Sequence, residues 1–548
     1  MKKIVIVGGV AGGMSAATRL RRLDAEADIV VLERSGHVSY ANCGLPYYVG
    51  GVIEDESSLL LQTPATLHQR FRLDVRVHSD VVDVDPAKRS VTVMSLETGE
   101  TYELSYDALV LSPGASAVIP PIVGIERALA LRNVEDVERL SLEVARTPRN
   151  AVIIGGGFIG LEIAENLRHR GIATAIVEAA PQVLAPLDPE MAQLVADELD
   201  RHDVTLHLGR TVTALHDDTL ELDTGEIVNA DLVIVAIGVR PETELARKAG
   251  LTIGSRGGIV VDGFNRTSEP TIYAIGDAAE KVDALDGAAT LVPLANIANR
   301  QGRVVADHIA GRTVRPVTTI GTAIVKVFDL TIATTGWNEK RLVADARDVL
   351  VIHTHPSSHA TYYPGAKSMA LKLMVDPNSG AILGAQGVGT EGVDKRIDVL
   401  ATAIRAGMTA PELADLELAY APPYGSAKDP INMLGYVAEN LLSGLEGTVQ
   451  WSEVERLHEA GAQLVDVRTP GEFNRGTIPG ALNIPLDELH LRLSEIDEHG
   501  VIVMCQAGVR GHTATRLLNE LGVAAKNLDG GYETWRRSPR ALLLQPVG

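Results

Sequence analysis

Apolar residues fall in two patterns along this chain. Short unbroken runs, such as Ile4–Val7, Ile29–Leu32, Ala151–Ile154 and Ala175–Val177, are bounded by glycine or an acid and are too brief for helices. They predict strands buried on both faces. Between them, Met14–Leu23 and about Leu161–Arg168 repeat their apolar positions at helical spacing and predict the crossing helices.

Laid side by side, these elements form a repeat. One copy runs strand, Gly8-Gly9-Val10-Ala11-Gly12-Gly13, helix, and a strand ending at Glu33; the other runs strand, Gly155-Gly156-Gly157-Phe158-Ile159-Gly160, helix, and a strand ending at Glu178. Each copy has a later apolar run that ends in glycine, Asp107–Gly114 in one and Asp231–Gly238 in the other. Two βαβ beginnings are thus expected. From about Gly321 to Tyr436 the patterns are mixed and carry no glycine fingerprint, which predicts an α+β region. A polar break at Ser443–Gly447 precedes a last alternation of strand and helix, so a separate domain is expected from near Thr448.

Length agrees with several domains, since 548 residues exceed what one core organises. With 45% hydrophobic and 22% charged residues the chain has the balance of a folded protein. A formal net charge of −21 repels phosphodiester and anionic lipid, so neither nucleic acid nor a membrane is an expected partner. No apolar run reaches the roughly 18 residues of a membrane helix, and Gly8-Gly9 interrupts the opening run too early for a signal peptide. Two cysteines, Cys43 and Cys505, exclude a disulfide framework and point to a reducing, cytoplasmic setting.

The Gly155-x-Gly157-x-x-Gly160 turn meets every condition for a dinucleotide site. Gly155 allows a tight turn, Gly157 admits the pyrophosphate, Gly160 lets helix and strand close up, and Glu178 is placed for the adenosine ribose. The acid repels a 2′-phosphate, which favours NADH and leaves NADPH open. The first turn has Val10 where the middle glycine belongs, but Glu33 and the strand-ending pair Gly276-Asp277 accompany it. A carboxylate at Asp277 suits the ribityl hydroxyls of a flavin, so FAD is the expected second dinucleotide.

Residues 1 to about 440 resemble the flavoprotein disulfide reductases, and within them the branch of coenzyme A disulfide reductases and NADH peroxidases and oxidases. Ser39-Tyr40-Ala41-Asn42-Cys43-Gly44-Leu45-Pro46-Tyr47, Ala419–Tyr424 and Lys428-Asp429-Pro430 carry that resemblance. The last hundred residues resemble a rhodanese, through Gln463–Arg468, Ile478–Pro485, Cys505-Gln506-Ala507-Gly508-Val509-Arg510 and Asp529-Gly530-Gly531-Tyr532 with Trp535. The resemblance implies an α/β chain with two Rossmann-like dinucleotide-binding domains, FAD on 1–114 with 258–320 and NAD(H) on 115–257. It further implies an α+β dimerisation domain over 321–440, a rhodanese domain over 448–548, and a homodimer.

Cys43 lacks the second cysteine of a Cys-x4-Cys pair, because Val38 and Tyr48 occupy those places. It must therefore work alone, through a mixed disulfide, a persulfide or a sulfenate. The resemblance places Ser15, Arg19, Arg22, Ser39, Asn42, Asn299 and Lys428 on coenzyme A. Arg19 and Arg22 share one helical face, which suits phosphate as well as it suits solvent. Arg34, Gly114 and Gly238 join the expected nucleotide contacts. Tyr362 and Tyr420 resemble the tyrosines that serve Cys43 of the partner subunit, with Tyr363 and Tyr424 as neighbouring alternatives. At Cys505 a six-residue loop closed by Arg510, opening a helix near His512, suits a persulfide; a phosphatase loop usually has one more residue. His353, His355 and His359 lack further ligands and are read as loop surface, with no metal.

The expected function is therefore NADH-dependent reduction of persulfide, polysulfide, or coenzyme A disulfide or persulfide through Cys43, with Cys505 carrying sulfane sulfur. Peroxide or oxygen reduction through a Cys43 sulfenate, and a non-reductive sulfur relay, are the competing readings.

Overall fold

The structure, a computed structural model, describes residues 2–497, 500–539 and 541. Contacts divide the chain into two units, Met1–Pro181 with Asp203–Thr319, and Gln182–His202 with Ile320–Gly548.

Two parallel five-stranded sheets of the same plan make up the first unit. Lys3–Val7 lies at the centre of one, with Asp28–Leu32 and Asp74–Arg76 on one side and Ala108–Leu111 and Ile272–Ala274 on the other. Asn150–Ile154 is central in the second, with Ala173–Glu178 and Val204–Leu208 on one side and Leu232–Val235 and Leu129–Ala130 on the other. Each sheet is accompanied by a three-stranded antiparallel meander, Ser79–Ser105 in the first and Val212–Asn229 in the second. The repeat seen in the sequence is therefore a repeat of topology.

The unbroken apolar runs have a direct cause. Ile4, Ile6, Ile29, Val31 and Val110 pack on one face of the first sheet against Leu20, Val305 and Ile309. Val5, Val7, Val30, Leu32 and Leu109 pack on the other face against Val81, Val91 and Val93. With both faces covered, no polar alternation is tolerated.

The two copies are stitched at their exits. Beyond Gly114 and Gly238, both at positive φ, Ala115–Ala117 and Val239–Pro241 run antiparallel to each other.

In the second unit, Ala323–Val327, Leu330–Gly336, Ile382–Gly389, Met369–Val375 and Leu350–Thr354 form an antiparallel sheet in that order, with the helix Val393–Ala406 against it. A parallel sheet follows, ordered Thr448–Val449, Ala525–Leu528, Val501–Met504, Gln463–Asp466 and Leu482–Asn483. Among the described residues no helix is long and apolar enough to cross a membrane.

Three helices begin earlier than periodicity indicated, because turn residues join them: Ala11–Leu23, Phe158–His169 and Val509–Glu520. Arg510 consequently stands on the first turn of its helix. The surface reading of the histidines is overturned. His353 and His359 are buried and His355 is half-buried, and each is bonded, His355 to Thr534 and His359 to the Ala360 carbonyl. His353 sits inside the strand Leu350–Thr354, where its ring faces acids far away in sequence.

Candidate active site

The two glycine turns share one geometry. A Cβ on Gly13 would lie 1.9 Å from the Gly8 carbonyl oxygen, and one on Gly160 would lie 2.1 Å from that of Gly155, so both close-packing glycines are obligatory. Gly8 and Gly155 adopt φ of 99° and 113°, which an L side chain resists. The middle position differs. Val10 has φ −107° and Gly157 φ −81°, so neither needs glycine for its backbone, which is why valine is tolerated in the first turn.

The acids match too. Glu33 accepts the Gly9 N–H at 2.7 Å, and Glu178 accepts the Gly156 N–H at 2.6 Å. Each acid is thereby held beside the N-terminus of its helix, and neither helix has a side-chain cap. A Cβ on Gly157 would meet nothing within 4 Å, so open space lies where a pyrophosphate needs it. These turns fit two dinucleotides.

Cys43 lies in a short 3-10 turn, Asn42–Gly44, followed by the helix Leu45–Val49. The segment folds back onto the first glycine turn, where the Ser39 N–H, at φ 51°, donates to the Gly9 carbonyl. The residue is exposed, yet the protein around its thiol pushes the pKa up, as do the charges of Glu162 and Asp277; Arg132 opposes them. Arg132 donates to Asp277 at 2.6 Å and to the Ala115 carbonyl at 2.9 Å, so the carboxylate expected on a ribityl chain is also an ion-pair partner. Gly276 donates its N–H to Gln301. Burial pushes Glu162 up to about 7, against a long hydrogen bond from Tyr47.

Motif reading did not find Arg132 or Glu162. Arg132 follows a two-residue strand with no signature, whereas Glu162, two residues past Gly160, is an acid on a helix whose fingerprint was already recognised. Arg34 is exposed beyond Glu33.

The set expected on coenzyme A divides. Ser15 donates to Asn299 at 2.6 Å, joining two packed helices, and Asn42 and Ser39 are half-buried near Cys43. The basic pair is not two free cations: Arg19 is bound to Asp307 at 2.8 Å, while Arg22 is exposed. Lys428 is exposed over the ring of Tyr436. Tyr362 and Tyr420, far apart in sequence, join hydroxyls at 2.8 Å, and this bond pushes the Tyr362 pKa up. Tyr363 packs edge-on against His359 instead, and Tyr424 is exposed.

Cys505 is buried at the end of Val501–Met504, and its sulfur accepts the Gly508 N–H at 3.2 Å. Gly508, at φ 93°, turns the chain sharply so that the helix begins at Val509. Arg510 does not aim an unshared charge at the sulfur: both of its terminal nitrogens donate to Glu472, at 2.8 and 2.6 Å. That bond, led by Arg510, holds Glu472 down at about 2. Arg468, fully buried, pairs with Asp466, donates to Gln506 and lies 4.3 Å over the Tyr532 ring. A cavity of about 310 Å³ is lined by Arg468, Glu472, Arg475, Gln506, Tyr532 and Arg536, residues that no single motif unites.

A two-dinucleotide scaffold with one thiol near its acid and base, joined to a domain with a second cradled thiol, defines a redox enzyme of sulfur. Residues 2–302 match the family Pyridine nucleotide-disulphide oxidoreductase, 322–429 its dimerisation domain and 450–538 the Rhodanese-like domain. The chain belongs to the pyridine nucleotide-disulphide oxidoreductase family and carries a rhodanese domain; the family implies FAD and NAD(P)H.

A coenzyme A disulfide reductase of Staphylococcus aureus is 37% identical over 443 residues, 80% of this chain and all of that one. The crystal structure of reduced Bacillus anthracis CoADR-RHD is similar at TM-score 0.97 and 49% identity, covering 98% of each chain. A NAD-dependent persulfide reductase from A. fulgidus is similar at TM-score 0.92 and 38% identity, covering 97% of this chain and 100% of that one.

Proposed function

We propose that this enzyme uses NADH to reduce sulfur–sulfur bonds of persulfide, polysulfide, or coenzyme A disulfide or persulfide through Cys43, and that Cys505 carries sulfane sulfur. The observation that carries it is the pair of unlike thiols: Cys43 solitary and exposed among Glu162, Asp277 and Arg132, Cys505 buried with the Gly508 N–H on its sulfur. The names of the similar proteins, a coenzyme A disulfide reductase and a persulfide reductase, support the same substrate class. The rhodanese domain favours sulfur over peroxide. Glu178, which accepts the Gly156 N–H beside the second turn, favours NADH over NADPH.

When bound, the flavin supplies two electrons taken from NADH as a hydride. Glu33 and Glu178 would hold the two adenosine riboses, and the helix ends beyond Val10 and Gly157 the pyrophosphates. The Cys43 thiolate attacks the substrate bond: one sulfur leaves as a thiolate or hydrosulfide and takes a proton, and the other stays joined to Cys43. Two electrons then break that joint, releasing the second thiol and restoring Cys43. Glu162, near neutrality between its two forms, is a proton acceptor and donor at this thiol. Tyr362 and Tyr420 would serve Cys43 of the partner subunit as proton donors to the departing sulfur. Ser15, Arg22, Ser39, Asn42, Asn299 and Lys428 are the proposed contacts of coenzyme A, with Arg19 shared with Asp307. The functional form is a cytoplasmic homodimer.

The test is anaerobic NADH oxidation by the purified holoenzyme, with hydrosulfide release measured. Coenzyme A persulfide and polysulfide should stimulate it more than hydrogen peroxide does; equal or reversed rates would overturn the reading.

A further inference from the structure

His353 and the Cys505 loop lie on opposite sides of one short turn. Asp529 closes the strand Ala525–Leu528 and leads into Gly530-Gly531-Tyr532. On one side, the His353 backbone N–H reaches both Asp529 oxygens at 3.0 and 3.1 Å, and its Nδ1 lies 2.6 Å from Oδ2. On the other side, the Tyr532 N–H donates to the Cys505 carbonyl at 2.8 Å and the Glu533 N–H to that of Gln506 at 2.9 Å. The turn between is tight: Gly530 and Gly531 have φ of 66° and 64°. A Cβ on Gly530 would lie 2.7 Å from His353 Cβ, and one on Gly531 2.5 Å from the Cys505 oxygen.

Charge continues inward from His353. Its Nε2 lies 3.1 Å from Glu190, which accepts from Lys372 at 2.5 Å; Lys372 also reaches Asp188 at 2.9 Å and Glu339 at 2.5 Å. The Lys372 ammonium fills the acidic group Asp188, Glu190 and Glu339, and every member but Glu339 is buried. With a carboxylate on each ring nitrogen, His353 donates from both. Gln450 adds a donor to Asp529 at 3.1 Å and ties to the Val351 carbonyl.

We propose that His353 is a positioning residue for Cys505: it clamps Asp529, and Asp529 fixes the glycine turn that delivers the Tyr532 and Glu533 N–H groups to the carbonyls of Cys505 and Gln506. The inference rests on the reading of Cys505 as the sulfur carrier. A misplaced Cys505 carbonyl shifts the following residues, and with them the Gly508 N–H that faces the sulfur. Positioning of this kind, through a bonded partner behind the reacting group, sets how well the cradle stabilises a thiolate or persulfide.

The test uses the full-length holoenzyme and two readouts. In a Cys43→Ser background Cys505 is the one remaining thiol, and its alkylation by iodoacetamide is followed against pH. In the otherwise native chain, sulfur transfer from thiosulfate to cyanide is measured: Cys505 takes the outer sulfur, sulfite leaves, and cyanide removes that sulfur as thiocyanate. His353→Gln and Asp529→Asn should raise the alkylation midpoint by about one pH unit and slow transfer about tenfold, the scale of one charge-assisted hydrogen bond. NADH oxidation with polysulfide should stay within about twofold, a small fraction of that same scale. Should His353→Gln not fold, Gln450→Ala removes one donor to Asp529 and should move the midpoint the same way by less. An unmoved midpoint in a folded variant, or an equal loss of NADH oxidation, overturns the proposal. If the native enzyme transfers no sulfur, the reading of Cys505 as carrier fails, while alkylation still decides the role of His353.

Discussion

The Tyr47 hydroxyl stands 3.5 Å from Oε1 of Glu162, joining the helix that follows Cys43 to the helix that opens at the second glycine turn. The expected nicotinamide-binding element and the segment that carries Cys43 thus share a side-chain contact. Glu162 is pushed up to about 7, first by burial, so it gains its charge near neutral pH.

That charge opposes thiolate formation at Cys43. In a Cys505→Ser background, Glu162→Gln should lower the pH midpoint for alkylation of Cys43 by about half to one unit, the scale of one nearby charge. Arg132→Gln should move it upward. Equal midpoints in all three proteins would remove both residues from the thiol's electrostatics.

Glycine substitutions should separate binding from folding in the second turn. Gly157→Ala meets open space and an ordinary φ, so melting should be unchanged while the KM for NADH rises about tenfold or more, the cost of crowding a phosphate hydrogen bond. Gly160→Ala drives a carbon into the Gly155 carbonyl and should lower the melting temperature markedly. Calorimetry and NADH titration of the two variants make the comparison.

The two thiols should be separable. Cys43→Ser should abolish NADH-dependent turnover, whereas Cys505→Ser should spare reduction of small persulfides and lose sulfur transfer. Joint loss of both activities in either variant would contradict independent sites.

Stability should fall as alkali is approached. Burial opposes a charged His353, but Asp529's charge, then hydrogen bonds to Asp529 and Glu190, push its pKa up from 6.5 to about 9, with Lys372 opposing; nearby His355 is pushed down, first by burial and in part by the charge of His353. Below 6.5 the ring is protonated folded or unfolded, and the clamp contributes fully. As pH rises from there to about 9 the unfolded ring loses its proton first, so the contribution shrinks and is lost as the folded ring deprotonates. Denaturation between pH 6.5 and 9 should therefore show a slope that His353→Gln flattens, and an identical slope would refute the clamp's charge.

The duplicated dinucleotide plan, the solitary Cys43 and the six-residue loop at Cys505 were all legible in order and spacing. Their information is local: a strand, a glycine turn and a helix interact within about thirty residues, so chemistry imposes its signature on neighbouring letters. Val10 is readable for the same reason, since its φ is ordinary. Arg132 beside Asp277, Glu472 on Arg510 and the His353–Asp529 clamp left no such trace, and Tyr362 and Tyr420 were named only through the resemblance, not their mutual bond. Their partners are separated by tens to more than a hundred residues, and nothing in a local pattern says which buried charge will meet which. For the histidines this reversed the expectation: the lack of further ligands suggested loop surface, and folding placed His353 and His359 in the interior because distant partners, or a neighbouring carbonyl, satisfied their rings.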